Sequence, residues 1–228
     1  MIEKKMLDFL LGDVKNRCAI ALVGGSDLEK ISEQMGGMSV IKQFDYVFGE
    51  NGLVALRKGE EIGRQNIQSF MGETKLQQFI NFALKYLSDI VLPVKRGTFI
   101  EFRTGLINVC PVGRSCNQAE RDQFAQFDAE HKIREQFVDT LERTFPDLGL
   151  TYSIGGQISF DVYPHGWDKT FCLKYLDHFD EIYFFGDKTD KGGNDHEIFN
   201  HPKTRGHKVT GPDDTKEQLL ELFGVSNL

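Results

Sequence analysis

The chain has 228 residues, of which 40% are hydrophobic and 27% are charged, proportions that exclude an intrinsically disordered or fibrous protein. Its formal net charge of -7 argues against a surface that neutralises a nucleic-acid backbone, so no nucleic acid is expected as a partner. Any anionic ligand must therefore bind at a local basic cluster.

The first 63 residues predict the first part of an α/β domain. Residues 1–12 place apolar side chains at helical spacing, with Gly12 as a stop. The segment CAIALVGGSD predicts a buried parallel strand with a helix behind it over 27–34, which is half of a βαβ unit. The segment FDYVFGENG predicts a second strand that ends in a turn, and VALRKGEEIG predicts a short hairpin.

Residues 64–165 predict an inserted α+β domain. A helix over 73–90 precedes two alternating strands, RGTFIEFR and LINVCPVG, and a second strand pair, LTYSI and QISFDVY, follows later. Ser115 with Gln118 three residues later predicts a capping box for a short helix. A longer helix is predicted over 130–144. These elements indicate an antiparallel sheet with helices on one face.

Residues 166–228 return to the α/β pattern. They predict a helix over 168–177, the hydrophobic strand EIYFFGD, a short strand HKVTG and a final helix over 214–223. The chain is therefore predicted to fold as one α/β domain, made of 1–63 and 166–228, that an α+β domain interrupts.

The cysteines and the N-terminal residues indicate the cellular compartment of the protein. The four cysteines are scattered without CxxC spacing, which argues against a zinc knuckle or a disulfide framework and predicts a reducing, cytoplasmic location. Asp8 and Asp13 interrupt the N-terminal apolar stretch, so no signal peptide is predicted. The longest apolar run, at 18–23, is too short to span a bilayer, and no membrane segment is expected.

The strand EIYFFGD carries the strongest chemical signal. It delivers Asp187 at its carboxyl end, and a glycine-bearing loop then brings Asn194 and Asp195. Open α/β sheets bind ligands at that edge. Two acids and an amide form a good oxygen-ligand set for Mg²⁺. The alternative is an N-capping aspartate in an ordinary turn.

Two further residues suit a phosphoryl group. Ser26 ends the first predicted strand, where glycines allow backbone N–H groups to approach a phosphate. The alternative is a turn in which Ser26 or Asp27 caps the following helix. Lys169 opens a predicted helix before the EIYFFGD strand, where an ammonium would stabilise an anionic transition state. The alternative is a solvated surface lysine.

The inserted domain holds candidate substrate ligands. Its four clustered arginines are Arg96, Arg103, Arg114 and Arg121. Guanidinium groups bind phosphate bidentately, although arginines scattered over the surface remain the alternative. Ser159 and Asp161 alternate on QISFDVY and so share a face, where they would hold sugar hydroxyls. The alternative there is an exposed sheet face.

Seven segments together resemble eukaryotic phosphomannomutases of the haloacid dehalogenase superfamily. In chain order they are VGGSD, FDYVFGENGLVA, RGTFIEFR, NVCPVGRSC, IGGQISFDV, GWDK and FFGDKTDKGGNDHEIF. The resemblance implies a Rossmann-like core with an inserted α+β cap. It also implies interconversion of mannose 6-phosphate and mannose 1-phosphate with Mg²⁺, through an aspartyl-phosphate and a hexose 1,6-bisphosphate. Such enzymes supply GDP-mannose for glycosylation.

The resemblance assigns roles by position. The substrate-binding residues are Arg103, Arg114, Arg121, Ser159 and Asp161. The catalytic residues are Ser26, Lys169 and Asp195. The metal ligands are Asp187 and, for a second ion, the Phe199 carbonyl, His201 and Thr204. His201 stands where relatives carry an aspartate, which is a departure from the family's ligand set. A homodimer through the cap is also implied, with Phe99, Ile100, Leu106 and Val109 as apolar surface to cover, or as intramolecular core.

The chain departs from the family pattern at its front. The family begins with a strand that ends in DxDxT, whose aspartates are the nucleophile and the general acid/base, and no DxD occurs in this sequence. The core is therefore expected to lack its first strand, and the chain as given is expected to be inactive. Three possibilities stay open: an enzyme whose given sequence is incomplete, a catalytically silent sugar-phosphate-binding or dimer-partner protein, and a hexose bisphosphatase.

Overall fold

A computed structural model describes residues 1–224 and divides the chain into two units. The first unit comprises Met1–Arg64 and the chain from Gly166 onward, and the second comprises Gln65–His165. The end of the predicted C-terminal part, at 225–228, lies outside the described residues.

Ten strands and nine α-helices occur in the described part of the chain. The strands are β1 (Ala21–Val23), β2 (Tyr46–Gly49), β3 (Val54–Arg57), β4 (Glu60–Arg64), β5 (Ile100–Phe102), β6 (Ile107–Val109), β7 (Leu150–Gly155), β8 (Ser159–Pro164), β9 (Ile182–Gly186) and β10 (Thr204–Lys208). The helices are α1 (Lys4–Phe9), α2 (Leu28–Met35), α3 (Met38–Ile41), α4 (Ile67–Met71), α5 (Glu73–Asp89), α6 (Gln118–His131), α7 (Ile133–Thr144), α8 (His196–Phe199) and α9 (Pro212–Phe223). A π-helix spans Leu10–Val14, and 3₁₀ helices span Glu50–Gly52, Pro146–Leu148 and Lys169–Tyr175.

The first unit contains two sheets. In one, β1 pairs in parallel with β2, and the antiparallel β3 and β4 follow; in the other, β9 pairs in parallel with β10. The strands β1 and β9 both line one cavity of about 900 Å³, whose walls are mainly apolar. Ser26 follows the carboxyl end of β1, and Asp187 and Asp195 follow that of β9, the edge at which parallel sheets place ligands.

A buried apolar cluster holds the first unit together. Its members are Phe9, Val14, Ile20, Ile31, Ile41, Phe44, Val47, Leu56 and Leu219. They come from α1, the π-helix, α2, α3, α9, the strands β2 and β3, and the segments just before β1 and β2, so helices cover the sheet as an α/β layer requires. Among residues 1–224 no helix is both long and apolar enough to cross a membrane.

The second unit contains a four-stranded antiparallel sheet in the order β5-β6-β8-β7. Along β8, Phe160 and Val162 are buried while Ser159 and Asp161 are partly exposed. The Phe160 ring meets Phe137 of α7 edge-on at 5.3 Å. The apolar face of the sheet therefore packs against helices, and the other face carries the polar residues of β8.

The end of the first predicted helix was wrong. Gly12 does not stop it, because α1 continues into the π-helix Leu10–Val14. Glycine inside a helix costs about 1 kcal/mol relative to alanine. The burial of Phe9 and Val14 in the apolar cluster outweighs that cost.

Two predictions in the second unit also need correction. The capping box is formed by Asn117 and Glu120, not by Ser115 and Gln118, because Ser115 belongs to the preceding turn, where its N–H donates to the Gly97 carbonyl at 3.2 Å. The helix predicted over 130–144 is divided between α6 and α7. The division occurs because Lys132 has a φ of 56°, a left-handed conformation that a helix cannot contain.

Three boundaries near the C-terminus also shift. The predicted helix over 168–177 is a 3₁₀ helix, whose tight first turn is set by the Asp168 carboxylate accepting the Thr170 N–H at 2.8 Å. The strand predicted as HKVTG begins earlier, at Thr204, because β10 pairs with all five residues of β9. The last helix begins at Pro212, since proline suits the first turn of a helix.

Candidate functional site

The loops that follow β1 and β2 are joined by backbone hydrogen bonds. The Asn51 N–H donates to the Gly24 carbonyl and the Glu50 N–H donates to the Ser26 carbonyl, each at 2.8 Å. Asn51 has a φ of 63°, which asparagine adopts at lower cost than most residues. The Asn-Gly turn after β2 therefore holds the Ser26 loop in position.

Ser26 and Asp27 have different roles in this loop. The Asp27 carboxylate accepts the Lys30 N–H at 2.7 Å and so caps α2, whereas Ser26 is exposed. Because the Asp27 carboxylate accepts a backbone N–H at the start of α2, the helix does not require the Ser26 hydroxyl as a cap. Ser26 remains a candidate phosphate ligand at the carboxyl end of β1.

Lys169 is a buried residue and not a surface lysine. It is 9% exposed, and its ammonium donates to the Asp195 carboxylate, which is 3% exposed. The second oxygen of Asp195 accepts the Lys188 N–H at 3.0 Å. A buried ammonium needs such a partner because an isolated charge is costly to remove from water. The pair places a fixed ammonium in the wall of the cavity beside β9.

Two glycines allow the Asp195 loop to close tightly. A Cβ at Gly186 would lie 2.7 Å from Asp195 Oδ2, and a Cβ at Gly193 would lie 2.0 Å from the Lys188 carbonyl oxygen. Both distances are shorter than atoms tolerate. The glycines of FFGDKTDKGGND therefore have a steric function, because they allow Asp195 to lie close to the end of β9.

The cysteines near the candidate residues are inert thiols. Cys172 donates through Sγ to the Lys169 carbonyl at 3.0 Å, and burial raises the pKa of Cys172 to about 12. Burial likewise raises the pKa of Cys110, near the arginines of the second unit, to about 11. Only a thiolate is an effective nucleophile, so neither residue is suited to covalent catalysis.

Asp187 is the predicted metal ligand at the end of β9. Its side chain is 61% exposed, directly after β9, and the Lys188 ammonium lies 3.9 Å from Oδ2. In the described residues no group of three or more His, Cys, Asp or Glu is arranged to hold a metal. Mg²⁺ needs no such group, because it binds through one or two carboxylates and keeps several waters. An accessible Asp187 carboxylate therefore fits Mg²⁺.

The residues predicted for a second ion extend from the last residue of α8 to the first residue of β10. The Thr204 hydroxyl donates to the His201 carbonyl at 3.0 Å, and the Lys203 N–H donates to His201 Nδ1 at 3.2 Å. A Cβ at Gly206 would come within 2.5 Å of the Phe199 carbonyl oxygen. These contacts fold the segment against β10. An ion site there stays a prediction.

One face of the sheet in the second unit carries a row of polar residues. Glu101 on β5 is opposite Asn108 on β6, Asn108 is opposite Asp161 on β8, and Asp161 is opposite Ser153 on β7. Residues directly opposite each other on neighbouring strands share a face. The row therefore crosses all four strands.

Three of the four predicted arginines gather at one end of this row. Glu101 Oε2 lies 2.5 Å from Arg103 Nη2 and 3.1 Å from Arg114 Nε. Arg121 Nη2 donates to the Arg114 carbonyl at 3.5 Å. Arg96 pairs instead with the capping glutamate of α6. Two guanidinium groups on one carboxylate, with a third against the Arg114 carbonyl, are suited to a phosphate, which offers more acceptors than Glu101.

A buried ion pair supports the start of β8. Arg134 and Asp128 are 9% and 8% exposed, and Arg134 Nε lies 2.7 Å from Asp128 Oδ2. Arg134 Nη1 also donates to the carbonyls of Gly156 at 3.1 Å and Ser159 at 3.0 Å. The guanidinium thus fixes the turn between β7 and β8, from which Ser159 and Asp161 extend.

Sequence reasoning missed Glu101, Asn108 and Arg134. A signal existed for Asn108, since a polar residue between Ile107 and Val109 in a buried strand needs a partner. Glu101 lies two residues before Arg103 in RGTFIEFR, yet nothing local indicates that it contacts Arg114. Arg134 had the appearance of an ordinary charged residue on a helix.

Known proteins similar to this chain were found by sequence. The family model described as eukaryotic phosphomannomutase matches residues 6–225. A phosphomannomutase of Dendrobium officinale is 59% identical over 222 residues, which cover 97% of this chain and 87% of the relative. A phosphomannomutase of Drosophila melanogaster is 54% identical over 226 residues, which cover 98% of this chain and 89% of the relative.

The fold is also similar to solved structures. A sucrose-phosphatase from Synechocystis, solved with sucrose and phosphate, superposes with a TM-score of 0.53 at 15% identity, covering 99% of this chain and 84% of that one. At this identity the likeness concerns the fold alone. It confirms the predicted class, an α/β haloacid dehalogenase core with a cap.

Proposed function

Because the chain belongs to the eukaryotic phosphomannomutase family, we propose that it interconverts mannose 6-phosphate and mannose 1-phosphate when a DxDxT segment, which the given sequence does not contain, supplies the nucleophile. Mg²⁺ is the proposed cofactor, and a hexose 1,6-bisphosphate is the proposed intermediate and activator. The proposed role is supply of mannose 1-phosphate for GDP-mannose synthesis and glycosylation. A cytoplasmic location agrees with the four free cysteines.

The polar face of the second unit is the observation that carries this proposal. It joins Arg103 and Arg114, which both contact Glu101, and Arg121, which contacts the Arg114 carbonyl, to the hydroxyl of Ser159 and the carboxylate of Asp161. Guanidinium groups bind phosphate, and a hydroxyl beside a carboxylate binds sugar hydroxyls. In a chain of net charge -7, such a cluster is suited to a small phosphorylated sugar.

The residues of the first unit are proposed to act on the phosphoryl group. Lys169, held by Asp195, supplies a fixed positive charge in a cavity wall of low polarity, where charge stabilisation is strong. Ser26 would donate to a phosphate oxygen. Asp187 would hold Mg²⁺, which neutralises phosphoryl oxygens when it is bound. Phe199, His201 and Thr204 are proposed for a second ion.

Replacing Arg121 with alanine should weaken mannose 6-phosphate binding by roughly 1.5–3 kcal/mol, the range for hydrogen bonds to charged groups. Isothermal calorimetry measures this effect without requiring turnover. Arg143→Ala is the matched control, because Arg143 is an exposed arginine whose Nε donates to the Asp139 carbonyl of its own helix at 3.1 Å. Equal affinity of the Arg121 and Arg143 variants would contradict the assignment.

A coupled assay for mannose 1-phosphate conversion, with Mg²⁺ and a hexose 1,6-bisphosphate, tests the reaction itself on the chain extended by a segment that carries the DxDxT motif. Conversion supports the proposed function. Binding without conversion would favour the catalytically silent sugar-phosphate-binding protein. Release of inorganic phosphate from the bisphosphate without isomerisation would favour the hexose bisphosphatase.

We also propose a homodimer through the second unit. β5 is an edge strand of the sheet and exposes Phe102 by 49%, and such edges pair readily with another chain. Phe99, Ile100 and Leu106 are partly buried, whereas Val109 is fully buried. Val109 therefore belongs to the intramolecular core and not to an interface.

In sedimentation velocity, the unaltered protein should be a dimer at micromolar concentration and Phe102→Glu should be a monomer, because a carboxylate cannot be buried unpaired in an interface. Ile154→Glu is the matched control. Ile154 is 45% exposed on β7, the opposite edge of the sheet, and its variant should stay dimeric. A monomeric unaltered protein at high micromolar concentration would refute the dimer.

A further inference from the structure

Asn108 contacts three of the five predicted substrate ligands. It lies in the middle of β6 and is 4% exposed. Its Nδ2 donates to Asp161 Oδ1 at 2.7 Å and to Ser159 Oγ at 3.1 Å, and its Oδ1 accepts from Arg114 Nη1 at 2.9 Å. One side chain therefore connects a hydroxyl, a carboxylate and a guanidinium.

The neighbours of Asn108 permit only one orientation of its amide. Asp161 is a carboxylate and accepts hydrogen bonds only, whereas Arg114 donates only. Rotating the amide by half a turn would place oxygen against oxygen at Asp161 and nitrogen against nitrogen at Arg114. The donor side of Asn108 thus faces β8, and its acceptor side faces Arg114.

This orientation determines what Ser159 and Asp161 offer a ligand. The Ser159 oxygen accepts from Asn108, so its own proton is available to donate. Asp161 uses one oxygen for Asn108, which leaves the other to accept. A sugar hydroxyl both donates and accepts, so this donor and acceptor on one strand face match it.

We propose that Asn108 is a positioning residue that selects the hexose part of the ligand, by holding Ser159 as a donor and Asp161 as an acceptor. The proposal rests on the proposed binding of hexose phosphates. The charged residues around Asn108 are Asp161 on β8, Glu101 on β5 and Arg114 after β6.

The substitution Asn108→Asp separates the two sides of this network. It keeps the shape and an oxygen for Arg114, but it removes both donors to β8. The Kd for mannose 6-phosphate should rise about 30-fold at pH 8, where the new carboxylate faces Asp161. The Kd for inorganic phosphate, which binds without a sugar, should change less than about threefold in Asn108→Leu, which adds no charge beside Arg114.

The pH dependence gives a readout that a purely structural role would not produce. Two facing carboxyl groups share a proton at low pH, and the shared proton restores one donor to Asp161. At pH 5.5 the Kd of Asn108→Asp for mannose 6-phosphate should therefore be at most about fivefold that of the unaltered protein at the same pH. Asn108→Leu, which has similar volume and no proton to share, should stay weak at both pH values.

Asn117→Asp is the control for the charge change, because Asn117 caps α6 and an aspartate can accept the same Glu120 N–H. Its Kd should change less than about twofold. Unchanged hexose phosphate affinity in folded Asn108→Asp and Asn108→Leu would overturn this proposal alone. Absence of mannose 6-phosphate binding by the unaltered protein would overturn the proposed function as well. Failure of both variants to fold would assign Asn108 to the fold and overturn the proposal.

Discussion

Replacing Asp195 with asparagine should lower the free energy of unfolding by about 3–5 kcal/mol, because it leaves the Lys169 ammonium buried without its carboxylate. The Lys169 and Asp195 side chains are only 11% and 4% exposed, so water cannot substitute for the lost partner. Urea unfolding measures the change, with the fluorescence of Trp167, the single tryptophan of the sequence, as the signal.

The matched control is the exposed pair between Lys203 and Asp177, 2.5 Å apart with side chains 55% and 59% exposed. Asp177→Asn should cost less than about 1 kcal/mol, because solvent screens surface pairs. Replacing both buried partners, as Lys169→Met with Asp195→Leu, should recover much of the stability. Equal losses for Asp195→Asn and Asp177→Asn would show that Lys169 is solvated and would refute its role as a buried charge.

The same substitution should separate stability from chemistry. If Lys169 stabilises the transferred phosphoryl group, Asp195→Asn should lower mutase turnover on the order of 100-fold in a chain extended by a segment that carries the DxDxT motif. The doubly replaced variant should be stable and equally slow. Full turnover in that variant would remove both residues from the catalytic group.

Replacing Arg134 with methionine should also destabilise the protein, by about 3–5 kcal/mol, because Asp128 is left buried and unpaired. The carbonyls of Gly156 and Ser159 lose their donor as well. The turn that begins β8 should then loosen, and mannose 6-phosphate affinity should fall together with stability. Urea unfolding and calorimetry on the same preparation measure both effects.

Arg134→Lys tests whether charge alone is sufficient. Lysine should not restore stability, because a single ammonium cannot reach Asp128 and two carbonyls in the way that the planar guanidinium does. Arg143→Ala, on the exposed face of α7, should leave the unfolding midpoint unchanged. A stable Arg134→Met protein with unaltered affinity would refute the support that we assign to this pair.

Secondary structure was most predictable where a pattern is local. The alternation in QISFDVY places Ser159 and Asp161 on one face, and the structure has them so on β8. Helix ends were less predictable, because several polar residues near a helix end are competent caps. Asn117 caps α6 instead of Ser115, because Ser115 belongs to the turn that precedes the helix. That turn depends on a hydrogen bond to Gly97, which lies in another segment.

The sequence by itself determined the order of elements, the two-part organisation and the family, since these depend on runs of apolar residues and on motifs read along the chain. Only the tertiary structure decided that Lys169 is buried on Asp195, that Arg103 and Arg114 share Glu101, and that Asn108 connects β6 to β8. The Asn108 to Asp161 hydrogen bond joins residues 53 positions apart. Contacts over such separations depend on strand register and on the packing of whole elements, and local periodicity carries no information about either.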